Sequence, residues 1–339
     1  MQRFVATAPS TLIKEEHNPP TPQNGGVVIR TKAVGICGSD IHLFKGDHPY
    51  TTYPMVLGHE AAGFVESVGD GVKNLQVGDR VVLEPLIPCG RCYPCWVGRP
   101  NCCSNMKTVG VTTNGALSEY FSVPSACLHK LPPTLPFNIA ALSEPFSIGF
   151  HATSRGSVSA DDQAVIIGAG TIGLTILTAA KQKGARVLIC DILDFRLEIA
   201  RKMGADVIVN SKEIDPTQAV LDWTSGRGAN VVIEAVGTPH TIESTIGLVS
   251  DAGRVVIVGV TKDKFCISGV DVTKKELSII GSRNNLGNFP DAISFVSAHS
   301  DIAGNLITDT FGFSETEDAF LHASQYPETT CKVLIEFNK

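Results

Sequence analysis

The stretch Gln163–Gly173, QAVIIGAGTIG, decides the fold. An apolar run leads into glycines 168, 170 and 173 in the pattern G-x-G-x-x-G, and an uncharged helix-forming segment follows. After a strand and before a helix, the first glycine allows a tight turn and the second lets a phosphate reach the backbone. The third packs helix on strand, and the helix N-terminus attracts the anion. The next apolar run, ARVLIC, ends at Asp191, roughly 20 residues on, where an acid would accept hydrogen bonds from a ribose 2′-hydroxyl. The pattern predicts a dinucleotide site on Gly168, Gly170, Thr171, Ile172, Gly173 and Asp191. A carboxylate at 191 repels a 2′-phosphate and favours NAD over NADP. Arg196 keeps NADP open, its other roles being adenine packing or solvent exposure.

Outward from this turn, the runs QAVIIG, ARVLICD, NVVIEAVG and GRVVIVG alternate with helical segments such as DFRLEIARKMGA. Continuous apolar strands alternating with helices predict an α/β unit, a doubly wound parallel sheet covered on both faces. The first 150 residues read differently. GGVVIRTKAVG, AAGFVESVG, GDRVVLEP and LSEYFSVP are short β-like runs broken by glycine and proline, which predicts a β-rich, barrel-like unit. The polar segment 154–162, SRGSVSADD, reads as the connection. Past Arg283 the pattern changes to a helix, PDAISFVSAHS, and a final strand, CKVLIEF, that can return to the first unit. The expected division is 1–150 plus 287–339 against 151–286.

A chain of 339 residues suits two domains, and 43% hydrophobic with 18% charged residues suits well-filled cores. The net charge of −6 argues against a nucleic-acid partner. Ala164–Ala180 is uncharged and nearly long enough to cross a membrane, but its glycines divide it into strand, turn and helix. The opening MQRFVATAPSTLIKEE does not resemble a signal peptide, so a soluble cytoplasmic protein with reduced cysteines is expected.

Those cysteines are clustered. CGRCYPCWVGRPNCC carries Cys89, Cys92 and Cys95 at C-x2-C-x2-C, then Cys102 and Cys103. Four thiolates can close on one tetrahedral zinc at about 2.3 Å each, leaving no position for a substrate, so the site reads as structural. Chemistry alone leaves the fourth ligand open between Cys102 and Cys103. A ferredoxin-type iron–sulfur run closes with C-x3-C-P, which is absent here. A second set of donors is scattered: Cys37 in VGICGSDIH, His59 and Glu60 in LGHEAAG, and Glu144 in ALSEPF. Taken singly, each also reads as a buried thiol, a packed histidine or a surface acid.

Taken in chain order, Cys37, the segment GHEAAGFVESVGDGV, the cysteine run, SEP and the glycine turn resemble the zinc-containing medium-chain alcohol dehydrogenases over essentially the whole chain. The resemblance implies a GroES-like β-rich catalytic domain holding both zinc sites, a Rossmann NAD-binding domain, and a homodimer or homotetramer. It implies that Cys37 and His59 bind a catalytic zinc, that Glu60 binds directly or by exchange with water, and that Glu144 takes an alternate or water-holding position. Cys103 would then complete the structural site. Ethanol-type members use a second cysteine where this chain offers acids, so the resemblance is to the sorbitol, threonine and sugar-acid branch. Zinc would acidify an alcohol as it does water, whose pKa falls from near 16 to about 7, and hydride would pass to NAD. Ser39 and His42 match positions that relay the proton to solvent, although a helix cap and local packing are equally open to them.

Arg283, with Asn284 beside it in IIGSRNNLGNFP, falls at the sheet edge, where a guanidinium suits a carboxylate or vicinal hydroxyls of a substrate. Through VGICGSDIH, NCC, SEYFSVP, EPFSIG and KKELSIIGSRN, the chain is most similar to dehydrogenases of hexonates such as L-galactonate or L-gulonate, oxidised at C5, and to their starvation-sensing relatives. The expected reaction is oxidation of a secondary hydroxyl of a sugar acid, with a polyol or L-threonine as alternatives. A regulatory protein binding NADH and zinc without turnover is a reading of another class. The intact set Cys37, His59, Glu60 and Glu144 weighs against it and against a zinc-independent reductase.

Overall fold

The structure is a computed structural model and describes residues 1–337. The chain forms two compact units, one of Met1–Glu144 with the segment from Phe289 onward, the other of Pro145–Asn288. The division therefore falls after Glu144, inside the helix Ser143–Arg155, rather than at residue 150. Segment 154–162 is not the connection. It lies within the second unit, where Asp162 accepts from Ser159 and pairs with Arg254.

In the second unit six strands lie in the order Val207–Asn210, Arg186–Asp191, Gln163–Ile167, Ala229–Glu234, Val249–Ile257, Ser278–Gly281. Every neighbouring pair is parallel. The order reverses between Gln163–Ile167 and Ala229–Glu234, the point at which such sheets bind ligands beyond their carboxyl ends. Ala164, Val165, Ile166, Val187, Leu188, Ile189, Val231, Val232 and Ile233 are wholly buried, so both faces are covered and the strands must read as unbroken apolar runs. Each buried Val, Leu or Ile contributes roughly 1.5–3 kcal/mol.

The glycine turn leaves the first strand of this sheet and opens the helix Thr171–Gln182. Gly168 holds φ of 98°, a conformation that side chains resist. A Cβ at Gly173 would stand 1.8 Å from the Gly168 carbonyl oxygen, so helix and turn touch backbone to backbone. The uncharged stretch Ala164–Ala180 is thus divided between strand and helix. No helix among the described residues is long and apolar enough to cross a membrane.

The first unit is built on a sheet of order Ile307–Gly312, Lys332–Glu336, Gly26–Ile36, Glu60–Val68, Arg80–Leu83, Leu128–Lys130, with Tyr120–Pro124 also on Gly26–Ile36. Gly26–Ile36 is its hub. Val27, Val28, Ile29, Ala33 and Val34 are buried, and Val27, Ile29 and Val34 share a core with Phe44, Leu57, Leu117 and Phe320. At the carboxyl end of the hub, Gly35 pairs with Glu60, and Ile36 pairs with Val333.

The closest backbone approach gives a direct test. Gly173→Ala should destabilise the protein by about 1–3 kcal/mol, because the added methyl meets backbone that cannot rotate away. Denaturant unfolding measures it, and an unchanged midpoint would contradict the packing described.

Candidate active site and metal centres

The strand register brings a set of donors together. Cys37 follows the hub strand, His59 precedes the strand Glu60–Val68, and Glu60 begins it. The Sγ of Cys37, a ring nitrogen of His59 and a carboxylate oxygen of Glu60 all lie within 4.8 Å of one another. His59 and Glu60 are buried, and Cys37 is partly exposed. A thiolate, an imidazole and a carboxylate are a fitting donor set for zinc, and three protein donors leave a fourth position open.

Two residues that the sequence reading passed over complete the cluster. Asp40 is wholly buried in the helix Gly38–Lys45. Its Oδ2 accepts from the Cys37 backbone N–H at 3.0 Å, and its Oδ1 accepts from the Gly58 N–H at 3.2 Å. The same Oδ1 stands 3.3 Å from His59 Nδ1, a close ionic contact without good hydrogen-bond alignment. A carboxylate there commits the other ring nitrogen, Nε2, to the donor set and orients the ring. Burial alone would push the His59 pKa down, but Asp40 and the Cys37 sulfur overcome it and raise it well above the ordinary value. The local signal was the CGSD sequence, which sets an acid three residues after Cys37.

Lys332 is the second. It is the first residue of the last strand, 1% exposed, with Nζ 2.7 Å from both Glu60 Oε1 and Oε2 and 3.1 Å from the Ile36 carbonyl. Burial pushes its pKa down, while Glu60 and Cys37 outweigh that and raise it. Nothing local in CKVLIEF announces this pairing with a glutamate so distant in sequence.

Glu144 lies outside the trio, at the start of its helix, and is buried. Burial raises its pKa to about 7; His59 opposes the rise and Glu60 adds to it. Ser39 and His42 lie three residues apart on the helix Gly38–Lys45, so they share a face. His42 is exposed, and its Nδ1 is 2.9 Å from Asp47 Oδ1, which leaves Nε2 for another partner.

The second donor set is the cysteine run. The sulfurs of Cys89, Cys92, Cys95 and Cys103 lie within 4.8 Å of one another, and Cys102 is not among them. Cys92 Sγ is 3.5 Å from Cys95 Sγ and 3.7 Å from Cys103 Sγ. A zinc tetrahedron with bonds of about 2.3 Å has edges of about 3.8 Å, so the spacing fits zinc. Backbone N–H groups of Cys95 and Ser104 pull the Cys92 thiol down to about 6, toward the thiolate a metal needs.

In the second unit the glycine turn and Asp191 meet. Asp191 is buried, accepting from Ala169 N–H at 2.6 Å and from Ile192 and Leu193 N–H at 2.7 and 3.0 Å. Three of its roughly four acceptor sites are used, which leaves one for a hydroxyl donor. Gly170 caps the helix Thr171–Gln182 without a side-chain hydrogen bond, and Thr171 and Ile172 are its first residues. The nearest atom to a Cβ built on Gly170 is Arg196 Nη1 at 3.9 Å, so the space a phosphate would use is open and faces a guanidinium. Arg283 is exposed and Asn284 holds φ of 52°, both just past the edge strand Ser278–Gly281.

A metal grip with an open position, together with a turn fitted to a dinucleotide, is the equipment of a metal-assisted dehydrogenase. The alcohol dehydrogenase GroES-like domain family matches residues 23–133, and the zinc-binding dehydrogenase family matches 171–298. L-galactonate-5-dehydrogenase of Escherichia coli K12 is 35% identical over 84% of this chain and 83% of its own. Sorbitol dehydrogenase of Bacillus subtilis is 33% identical over 92% of this chain and 90% of its own. The crystal structure of the rspB alcohol dehydrogenase from E. coli CFT073, complexed with NADH, superposes with a TM-score of 0.93 at 35% identity over 99% of both chains. The chain belongs to the zinc-type alcohol dehydrogenase family.

Two substitutions separate the sites. Cys103→Ser should remove one zinc equivalent by metal analysis while Cys102→Ser retains both, and the reverse pattern would contradict the quartet. Asp40→Asn should weaken the other site's metal affinity about 10–100-fold in chelator competition, since it loosens the partner that orients a ligand.

Proposed function

We propose that this protein oxidises a secondary hydroxyl of a hexonate, at C5, with NAD as hydride acceptor. The observation that carries the reading is the trio Cys37, His59 and Glu60, three convergent donors where zinc takes four ligands. Zinc bound there supplies Lewis acidity, lowering the pKa of an alcohol and polarising a carbonyl. The chain does the rest. Cys37 and His59 hold the ion, Asp40 keeps the imidazole in its tautomer, and Glu60 is a third donor whose lone pairs are shared with Lys332. Ser39 and His42 carry the released proton outward. The imidazole of His42, with Nδ1 on Asp47, has Nε2 to receive that proton and an exposed edge to release it. Glu144, buried at the start of its helix and within electrostatic reach of His59 and Glu60, is placed to accept from a water or a substrate hydroxyl. In the nucleotide unit, Gly170 and the helix start take the pyrophosphate, and Asp191 takes the ribose hydroxyl.

The sugar-acid assignment is supported by the likeness to L-galactonate-5-dehydrogenase and by Arg283, an exposed residue whose guanidinium chemistry suits a carboxylate. A polyol is the second reading, favoured by the likeness to sorbitol dehydrogenase. L-threonine is the third.

NADH absorbance with zinc-loaded protein and a panel of hexonates, hexitols, pentitols and L-threonine tests the choice. Hexonates should turn over with the highest kcat/KM. A flat response to every alcohol, with NADH still bound, would instead favour a regulatory protein. Arg283→Ala should lower kcat/KM for a hexonate about thirtyfold, the loss of about 2 kcal/mol from one charged hydrogen bond, and leave NAD affinity unchanged. Equal losses of both would remove Arg283 from the substrate. Asp191→Ala should raise the NADP to NAD preference ratio, and an unchanged ratio would contradict the ribose role.

A further inference from the structure

Glu60 is gripped from two directions besides the trio. Both carboxylate oxygens lie 2.7 Å from Lys332 Nζ, and the third ammonium proton goes to the Ile36 carbonyl at 3.1 Å, so all three donors of the lysine are spent. On the other side Oε2 occupies the space where Gly35 would carry a Cβ, 2.1 Å away. Gly35 is the register partner of Glu60, and Lys332 is held one residue from Val333, the partner of Ile36. Strand register therefore brings the two side chains to the same end of the sheet. Lys332 is shielded from water, with side-chain exposure of 2% against 1% for Glu60.

We propose that Lys332 is a positioning residue that keeps Glu60 an exchangeable donor and so keeps the metal's fourth position open. The proposal rests on reading the trio as a metal site. An ammonium and a divalent cation compete for the same two oxygens, and the lysine's charge repels the ion. With its lone pairs shared, the carboxylate binds weakly through one oxygen and yields readily to water or substrate. Without the lysine, the same carboxylate is free to clamp the ion through both oxygens, as carboxylates do when nothing else claims them. Charge leads to the same place. The thiolate of Cys37 and the carboxylates of Glu60 and Asp40 together exceed the two charges of zinc by one, and Lys332 offsets that excess, which would otherwise oppose loss of a proton from a substrate oxygen.

A lysine that only filled a buried pair would leave the metal's coordination alone, and this separates the two roles. Protein loaded with cobalt(II) at the trio and zinc at the quartet is compared for the parent, Lys332→Met, Lys332→Gln and Lys332→Arg. The readouts are the cobalt ligand-field spectrum and the rate of cobalt loss to a chelator. Lys332→Gln retains a donor to the Ile36 carbonyl, so it removes the charge with the least cost to folding. Both neutral variants should show shifted ligand-field bands and lose cobalt about tenfold more slowly, within the range by which outer partners tune metal affinity. Lys332→Arg should return both readouts to the parent's values. Parent-like spectra, or loss as fast as or faster than the parent's in both neutral variants, would overturn the proposal. Unfolding of both with metal present would also overturn it, by making the pair a support of the fold. A parent that binds no cobalt beyond the quartet would bring down the metal reading itself, and the proposal with it.

Discussion

The site depends on backbone register in one sheet. Gly35 opposite Glu60 and Ile36 opposite Val333 bring the ends of three strands level. Cys37, His59, Glu60 and Lys332 stand at or beside those ends. A slip of one residue would turn each strand's side chains to the opposite face and scatter the donors. Register holds because the hub strand Gly26–Ile36 is buried for most of its length and pairs with three neighbours. The trio's donors are therefore placed by a tightly specified part of the first unit.

The two donor sets use opposite logic. The cysteine quartet can satisfy an ion completely with four sulfurs gathered within 4.8 Å of one another, on a loop with a four-residue helix, Tyr93–Trp96, and little other regular structure. An ion there replaces the core that so short a segment cannot build. The trio would leave an ion one donor short of four, and the proposed role of its surroundings is to keep it that way. Asp40 fixes the imidazole, Lys332 shares the carboxylate, and Glu144 stays apart with its proton affinity raised. The buried charges Asp40, Glu60 and Lys332 would each be costly alone; each here faces a partner, as buried ionic groups must.

Much of this was legible in the sequence, for physical reasons. The glycine turn, the continuous apolar strands and the C-x2-C-x2-C spacing are local patterns imposed by backbone geometry and metal coordination, and the structure has a six-stranded parallel sheet and a four-sulfur cluster where they stand. Asp40 was within reach, three residues from Cys37, but a buried acid that serves a histidine carries no signature of its own. Lys332 was out of reach. Its pairing with Glu60 spans almost the whole chain and arises only from sheet register, and a lysine at the start of CKVLIEF reads as a strand's solvated end. The connection was misplaced because SRGSVSADD is polar like a linker, whereas its acid and its carbonyls are bound to Arg254. One of the segment's polar side chains, Asp162, is spent on anchoring an arginine.

The central claim is that one ion is closed off by sulfur while the other is held by one sulfur, one imidazole and a shared carboxylate. X-ray absorption at the zinc edge of the fully loaded protein tests it most directly, compared with a Cys37→Ser variant that removes the trio's sulfur. The account predicts that the parent's mixed shell resolves into an all-sulfur zinc at about 2.3 Å and a second zinc dominated by nitrogen and oxygen at about 2.0–2.2 Å with a single sulfur. In the variant, one sulfur should vanish from the second zinc alone. A parent spectrum of sulfur only, or one that Cys37→Ser leaves untouched, would contradict it.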